Sequence, residues 1–185
     1  MAETTDFRSR LEEGNAEFRK TTDPLLLKML SSKHAPWVAI VSCADARVCP
    51  GRLFNLSTGD SFDVRVAGNS ASEGSALASL EYAVEHLGVR AVVVLGHTQC
   101  GAARAAVEGE RDGHLGVITG DMARAREMLP QDRRDNPDDV AEGNVKLQLR
   151  LLQDNSVVIR DAVCSGRLIL MGAMLELSTG RVRFI

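Results

Sequence analysis

The strongest constraint on the fold is a set of short, continuous apolar runs separated by helical patterns. The three runs are WVAIVS (37–42), AVVVL (91–95) and LILMGA (168–173). Runs of this length are typical of strands that are buried on both faces, as in parallel sheets. A fourth segment, SFDVRV (61–66), alternates polar and apolar side chains and predicts another strand. Strands alternating with helices indicate an α/β fold with a mostly parallel sheet.

Helical patterns fill the segments between these runs. Residues 72–87 place apolar side chains at helical spacing, with Ser72 as a candidate N-cap and Gly88 ending the helix. Asp23 is a candidate N-cap for a second N-terminal helix, with Pro24 at its first position. The other predicted elements are helices at 6–20, 24–32, 101–109, 122–129 and 138–153 and a C-terminal hairpin of 175–178 and 181–185.

These elements predict one domain that spans residues 1–185 and is long enough to bury a substantial core. We expect a four-stranded, mainly parallel sheet flanked by helices and extended by a short antiparallel C-terminal strand. The composition, with 44% hydrophobic and 25% charged residues, is that of an ordinary globular protein.

Charge and hydropathy argue against several classes of partner. The formal net charge of −3 gives no reason to expect nucleic acid. No apolar run approaches the roughly 20 residues that span a bilayer. The polar N-terminal segment lacks the apolar core of a secretory signal, so we expect a cytoplasmic protein whose four cysteines are reduced.

Reactive side chains follow two of the buried strands. Cys43 comes directly after the first strand, and His97 and Cys100 follow the third. Because ligands bind beyond the carboxyl ends of parallel strands, we expect these three side chains to meet. Two thiolates and one imidazole suit zinc, and three protein ligands leave one position open, as in catalytic zinc sites.

A carboxylate and a guanidinium lie close to the first of these cysteines. Asp45 can fill the fourth metal position itself, or it can form an ion pair with Arg47 and leave that position to water. In the second case zinc lowers the pKa of the water from 15.7 to about 7. Two other interpretations stay open, namely Cys–His nucleophilic catalysis and a purely structural role for buried thiols and an ion pair.

The two strand ends resemble the motifs of the β-class carbonic anhydrases. CADAR (43–47) is similar to that family's Cys-x-Asp-Ser-Arg motif, and GHTQCGA (96–102) is similar to its Gly-His-x-x-Cys-Gly motif. The resemblance covers nearly the whole chain in family order. Further similar segments are GNAEF (14–18), GDSFDVRVAGN (59–69), SLEYAVEHLGV (79–89) and GAMLELSTGRV (172–182).

The resemblance implies an activity and a cofactor. Cys43, His97 and Cys100 match the ligands of one Zn²⁺ per chain, and Asp45 and Arg47 match the catalytic dyad that orients the nucleophile. The implied reaction is the reversible hydration of carbon dioxide to bicarbonate and a proton by a zinc-bound hydroxide.

The resemblance also implies a small substrate pocket and a partner subunit. Phe62 and Tyr82 match an aromatic wall, Ala67 a small lining residue, and Gly101 a backbone donor to substrate. His34 replaces a glutamine that binds substrate, and it can donate the same hydrogen bond or carry protons to solvent. Part of this wall comes from a second subunit in the family. We therefore expect a homodimer or a higher homo-oligomer, with the N-terminal helices packed on the partner.

Several departures from the family pattern shape further expectations. Ala46 replaces the motif serine, for which we expect a small effect. Trp37 lies at a different spacing from the tryptophan of the inhibitory bicarbonate site found in some members, and no C-terminal tyrosine completes that site. We therefore expect no such switch and an Asp45 that is paired with Arg47. Cys49 and Cys164 are expected to be packing thiols.

Two alternative functions stay open at this point. The same scaffold and zinc site serve hydrolases of carbonyl sulfide and carbon disulfide, which the motifs do not separate from carbonic anhydrases. A non-catalytic relative that binds zinc or bicarbonate is the second alternative, although both Asp45 and Arg47 are present.

Overall fold

The computed structural model describes residues 2–185, with side chains from residue 6 onward, so Met1 of the predicted domain lies outside the described residues. The chain divides into two compact units, one that runs to His34 and one from Ala35 to Ile185. The prediction that both belong to a single domain stays a prediction.

The first unit contains two helices, α1 (Ala2–Thr21) and α2 (Pro24–Leu30). The Asp23 carboxylate accepts a hydrogen bond from the backbone N–H of Leu25 at 2.9 Å, which confirms its capping role. Proline suits the first position of α2 because its missing N–H would have no acceptor there.

The second unit contains five strands and six helices in its described residues. The strands are β1 (Val38–Ser42), β2 (Ser61–Arg65), β3 (Ala91–His97), β4 (Ile169–Leu175) and β5 (Val182–Phe184). The helices are α3 (Pro50–Leu53), α4 (Gly74–Glu85), α5 (Gly101–Glu108), α6 (Leu115–Met128), α7 (Pro137–Asn155) and α8 (Val157–Cys164). Short 3₁₀ turns lie at Ala67–Asn69 and Gln131–Arg133.

The strands form one sheet in the order β2-β1-β3-β4-β5. The first four strands are parallel, and β5 is antiparallel to β4, so the predicted fold class is confirmed. The order changes direction between β1 and β3. In open α/β sheets this is the point where the carboxyl ends of the strands leave a crevice for a ligand.

Apolar side chains cover both faces of the sheet, as the continuous runs predict. On one face, Ala39, Val41, Val92 and Val94 belong to a cluster that also contains buried residues of α4, α5, α7 and α8. On the other face, Val38, Ile40, Val93 and Leu95 pack in a smaller cluster with residues of α3. The alternation follows from the two-residue period of a strand.

Helix α7 approaches β3 closely at the residue before His97. A Cβ atom on Gly96 would lie 2.6 Å from Val145 Cγ2 and 2.7 Å from Met174 Sδ. Real Cβ atoms do not approach other atoms that closely, so this position requires glycine. The contact holds the carboxyl end of β3 firmly against α7 and β4.

The structure differs from the predicted elements in several places. Helix α4 begins at Gly74 without a side-chain cap, so Ser72 is not its N-cap; the Ser72 hydroxyl lies 3.4 Å from Asp121 Oδ2 instead. Helix α6 begins at Leu115, seven residues before the predicted 122–129 segment, because tertiary packing outweighs the low helix propensity of Gly116 and Gly120.

Three other elements differ from the expectation. Strand β4 continues to Leu175, so 175–178 is not a separate strand and the hairpin is made by β4 and β5. Helices α3 and α8 were not predicted, since both are short and α8 follows α7 with only Ser156 between them. None of the described helices is long and apolar enough to cross a membrane.

Candidate metal centre

The three predicted ligand residues come together at the point where the strand order reverses. One ligand atom from each of Cys43, His97 and Cys100 lies within 4.8 Å of the others. The three residues are 6%, 0% and 1% exposed. A buried group of two thiols and one imidazole at this spacing can hold a metal ion of the zinc type.

The fold brings these side chains together through adjacent parallel strands. Ser42, the last residue of β1, pairs with Leu95 of β3, so Cys43 and His97 follow at neighbouring strand ends. Cys100 is the N-cap of α5. Between them the chain turns at Gln99, which has a φ of +54° that few side chains adopt.

The Gln99 turn is held from both sides. Its backbone N–H donates to Asp138 Oδ1 at 2.5 Å, and its carbonyl accepts from Arg47 Nη2 at 3.3 Å. Asp138 lies at the start of α7, so α7 positions the turn that separates two of the three ligand residues.

The His97 ring fits a metal ligand. Its Nδ1 lies 2.9 Å from the Thr98 carbonyl oxygen, so Nδ1 carries a proton and the neutral imidazole has its lone pair on Nε2. Nε2 is buried and has no hydrogen-bond partner among the described residues. Buried polar atoms are rarely left without a partner, so an ion at this position accounts for the orphaned nitrogen.

The Cys43 sulfur lies in an environment that favours the thiolate. The ligand atoms of Cys100 and His97 lie within 4.8 Å of it, and the backbone N–H groups of Asp45 and Gly68 donate to it, each at 3.4 Å. The neighbouring Cys100 and His97 side chains and these two N–H groups together outweigh burial and lower the pKa of the Cys43 thiol. Proximity to Cys43 and burial raise the pKa of Cys100. A cation that binds both sulfurs requires both thiols to lose their protons.

Asp45 is not part of the ligand group but forms a two-pronged ion pair with Arg47. Arg47 Nη2 lies 2.7 Å from Asp45 Oδ2 and Arg47 Nε lies 3.0 Å from Oδ1, which also accepts the Arg47 backbone N–H at 2.9 Å. The Arg47 hydrogen bonds lower the pKa of Asp45 well below its usual range. The Asp45 side chain is only 18% exposed, so its ionised carboxylate is held in place two residues after Cys43, whose sulfur accepts the Asp45 backbone N–H.

Arg65 matches the arginine of the family's inhibitory bicarbonate site in sequence, but the structure gives it a different and unpredicted role. Its Nη2 donates to the carbonyl oxygens of Val48 at 2.7 Å, Asp45 at 2.9 Å and Cys43 at 3.4 Å. The guanidinium therefore holds the loop that carries Cys43, Asp45 and Arg47. The β-pairing of Arg65 with Ser42 was the only available signal, because it places Arg65 beside the start of this loop.

Replacing Arg65 by methionine is expected to destabilise the fold by about 1–3 kcal/mol, because three carbonyls lose their donor. We expect urea unfolding to show this loss. The matched control is Arg52→Met, which alters an exposed arginine of α3 for which no side-chain hydrogen bond is present among the described residues. Equal unfolding free energies for the two variants would contradict the role of Arg65 in holding this loop.

The predicted aromatic residues lie next to each other. The ring centroids of Phe62 and Tyr82 are 6.4 Å apart, and Phe62 packs against the apolar cluster that contains Cys43 and Cys100. That these two rings line the substrate pocket stays a prediction. Tyr82 is 49% exposed, so one side of this pair is open in the isolated chain.

The other predicted pocket residues are placed less specifically. Ala67 is half-buried in the 3₁₀ turn directly before Gly68, and Gly101 is the exposed first residue of α5, where backbone N–H groups have no partner within the helix. His34 is exposed and ends the first unit, so its role in substrate binding stays a prediction.

The expectation for the two remaining cysteines is wrong. Cys49 and Cys164 are both exposed, so neither is a packing thiol. Cys49 precedes α3 and Cys164 ends α8, at helix ends that face solvent. The CADARVC segment alternates in sequence, but the chain leaves the strand geometry after Ser42, so the alternation does not carry Cys49 inward.

Comparisons with known proteins agree with this geometry. A family model described as carbonic anhydrase matches residues 38–182. Carbonic anhydrase 2 of Mycobacterium tuberculosis is 34% identical over 157 residues, which cover 82% of this chain and 75% of that protein. The crystal structure of the β-carbonic anhydrase CafA of Aspergillus fumigatus superposes with a TM-score of 0.86 at 28% identity, covering 97% of this chain and 90% of that chain.

A fourth match supports the fold alone. A tetrameric β-carbonic anhydrase from Sordaria macrospora superposes with a TM-score of 0.83 at 24% identity, covering 99% of this chain and 97% of that chain. The family model and the Mycobacterium tuberculosis relative together show that the chain belongs to the β-class carbonic anhydrase family. Members of that family are zinc lyases, and the Cys43–His97–Cys100 group of this chain can hold the zinc ion.

Proposed function

We propose that this protein catalyses the reversible hydration of carbon dioxide to bicarbonate and a proton. The observation that carries the proposal is the fixed, ionised Asp45 beside a buried Cys–His–Cys group, held off that group by two hydrogen bonds to Arg47. A carboxylate bound in this way leaves one ligand position of a tetrahedral ion to solvent.

The ligand residues are Cys43, His97 and Cys100. Zinc held by them would supply Lewis acidity and lower the pKa of a coordinated water to near 7. Asp45 accepts a hydrogen bond from the attacking oxygen and so aims its lone pair at the carbon. Arg47 fixes the carboxylate and keeps it ionised, and the Gly101 N–H donates to a substrate oxygen at the N-terminus of α5.

The proposed substrates are small and neutral or singly charged. Phe62, Tyr82 and Ala67 form the apolar wall of the pocket in this proposal, which suits carbon dioxide better than a polar substrate. Carbonyl sulfide and carbon disulfide have the same linear shape, so relative turnover decides between these gases.

The experiment that tests the proposal compares carbon dioxide and carbonyl sulfide on one zinc-loaded preparation. We expect rapid hydration of carbon dioxide in stopped-flow measurements and slow release of sulfide from carbonyl sulfide. Faster turnover of carbonyl sulfide would assign the protein to the sulfur-gas hydrolases. Binding of bicarbonate without turnover of either gas would favour the non-catalytic relative.

We also propose that the working form is a homodimer or a larger homo-oligomer. Large apolar side chains of α1 and α2 are exposed in the single chain, and Trp37 and Phe184 are 54% and 57% exposed beside an apolar groove of about 220 Å³. Exposed apolar surface of this extent is typical of a subunit interface. The Sordaria macrospora relative is a tetramer. Sedimentation as a monomer at micromolar concentration would contradict the proposal.

The last part of the proposal concerns where the protein acts and which partners it has. We propose a cytoplasmic protein that acts on dissolved carbon dioxide and bicarbonate without a nucleic-acid or membrane partner. The net charge of −3 supports the first of these absences.

A further inference from the structure

A chain of buried amides connects α6 and α7 to the backbone that faces the Cys43 sulfur. Asn144 of α7 donates from Nδ2 to the Gly68 carbonyl oxygen at 2.9 Å. The Gly68 N–H in turn points at Cys43 Sγ, 3.4 Å away. Asn144 is fully buried, as is Gln148 one helical turn later.

The orientation of the amide groups in this network is fixed by the groups at its outer end. The Asp121 carboxylate of α6 accepts from Gln148 Nε2 at 2.8 Å. The Ala71 backbone N–H, which can only donate, lies 2.9 Å from Gln148 Oε1, so the Gln148 amide must turn its nitrogen toward Asp121.

The orientation of Gln148 in turn fixes the orientation of the Asn144 amide. Gln148 Nε2 also lies 3.3 Å from Asn144 Oδ1, which must therefore be the acceptor. The Asn144 nitrogen is left to face the Gly68 carbonyl. The network thus has one direction, and each buried polar atom in it has a partner.

Gly68 needs such support because its backbone is unusual. Its φ of +71° lies in the left-handed region, and a Cβ atom would lie 3.0 Å from Met122 Cε and 3.1 Å from Ala102 Cβ. Glycine is favoured here, and glycine is the most flexible residue. The Gly68 N–H and carbonyl belong to successive peptide planes that meet at its Cα, so fixing the carbonyl limits the rotations by which the N–H could turn away from the sulfur.

We propose that Asn144, oriented by Gln148 and Asp121, is a positioning residue for the metal centre. It fixes Gly68 so that the Gly68 N–H remains aimed at the Cys43 sulfur. This inference rests on the proposed function in one respect, since it takes Cys43 to be a metal ligand. A hydrogen bond to a ligating thiolate withdraws electron density from the sulfur and so tunes the metal that it binds.

The test compares two asparagines of α7 that both donate to the loop after β2. Asn144→Ala removes the donor to Gly68, and the control Asn155→Ala removes an Nδ2 donor to the Ser72 carbonyl oxygen at 3.0 Å. The readouts are the zinc dissociation constant and, in cobalt-loaded protein, the thiolate-to-metal charge-transfer band. Neither readout uses carbon dioxide.

We expect Asn144→Ala to raise the zinc dissociation constant by about tenfold, as is usual when the partner of a metal ligand is lost. The charge-transfer band should move to longer wavelength because the sulfur regains electron density. Asn155→Ala should change neither. If Asn144→Ala does not fold, Asn144→Leu provides the second variant, because it removes the donor to Gly68 while retaining the side-chain volume. It should shift the band in the same direction.

Two results would overturn the inference. One is that Asn144→Ala lowers the stability of the fold but has the same zinc dissociation constant and the same charge-transfer band position as Asn155→Ala. The other, where Asn144→Ala does not fold, is an unchanged band in Asn144→Leu. A wild-type protein that takes up neither metal would overturn both this inference and the proposed function. A wild type with the expected metal spectrum but no carbon dioxide hydration would overturn the function alone.

Discussion

Replacing Asp45 by alanine should lower kcat/KM for carbon dioxide hydration by about 10²–10⁴-fold while zinc stays bound, which is the usual range for losing a positioned acid–base group. Asp45 lies outside the ligand group, and its two oxygens are held by Arg47. Its loss therefore removes the acceptor that aims the attacking oxygen without removing a ligand. Stopped-flow hydration and metal analysis of the same sample measure the two effects.

The control for this prediction is Asp63→Ala, which removes an exposed carboxylate from β2. It should leave both the rate and the zinc content unchanged. Full activity in Asp45→Ala would contradict the role of the dyad. Loss of zinc together with activity would instead show that Asp45 belongs to the ligand set.

Replacing Cys43 by serine should lower zinc affinity by more than about 100-fold. Losing only the hydrogen-bond partner of a metal ligand already costs up to about 100-fold, and this variant loses the ligand itself. A hydroxyl is a far poorer zinc ligand than a thiolate, and the remaining pair, His97 and Cys100, does not hold the ion tightly. Dialysed protein should contain about one zinc per chain in the wild type and much less in the variant.

Cys49→Ser is the matched control, because it makes the same exchange in the same loop at an exposed thiol. Zinc content should be unchanged in this variant. Equal zinc content in Cys43→Ser and Cys49→Ser would mean that the buried Cys–His–Cys group does not bind the ion.

Much of the fold was predictable because its signals are local. The buried strands appear as continuous apolar runs, and the neighbouring positions of Cys43 and His97 follow from the geometry of parallel strands. Asp23 and Pro24 marked the start of α2 through the chemistry of two adjacent residues. In each case a short stretch of chain contains the physical cause.

The parts that were not predicted depend on distant contacts. Arg65 looks like an ordinary polar residue of an alternating strand, and only the fold brings the 43–48 carbonyls to it. Asn144 and Gln148 sit in a helix with many polar residues, so nothing local indicates that both are buried. The exposure of Cys49 likewise depends on where the chain turns after β1.

The most direct test of the account is the rate of carbon dioxide hydration by one preparation before zinc removal, after removal and after zinc is returned. We expect a fast rate that falls to the uncatalysed level in the metal-free protein and recovers with about one zinc per chain. A negligible rate with zinc fully bound, or a fast rate that survives its removal, would contradict it.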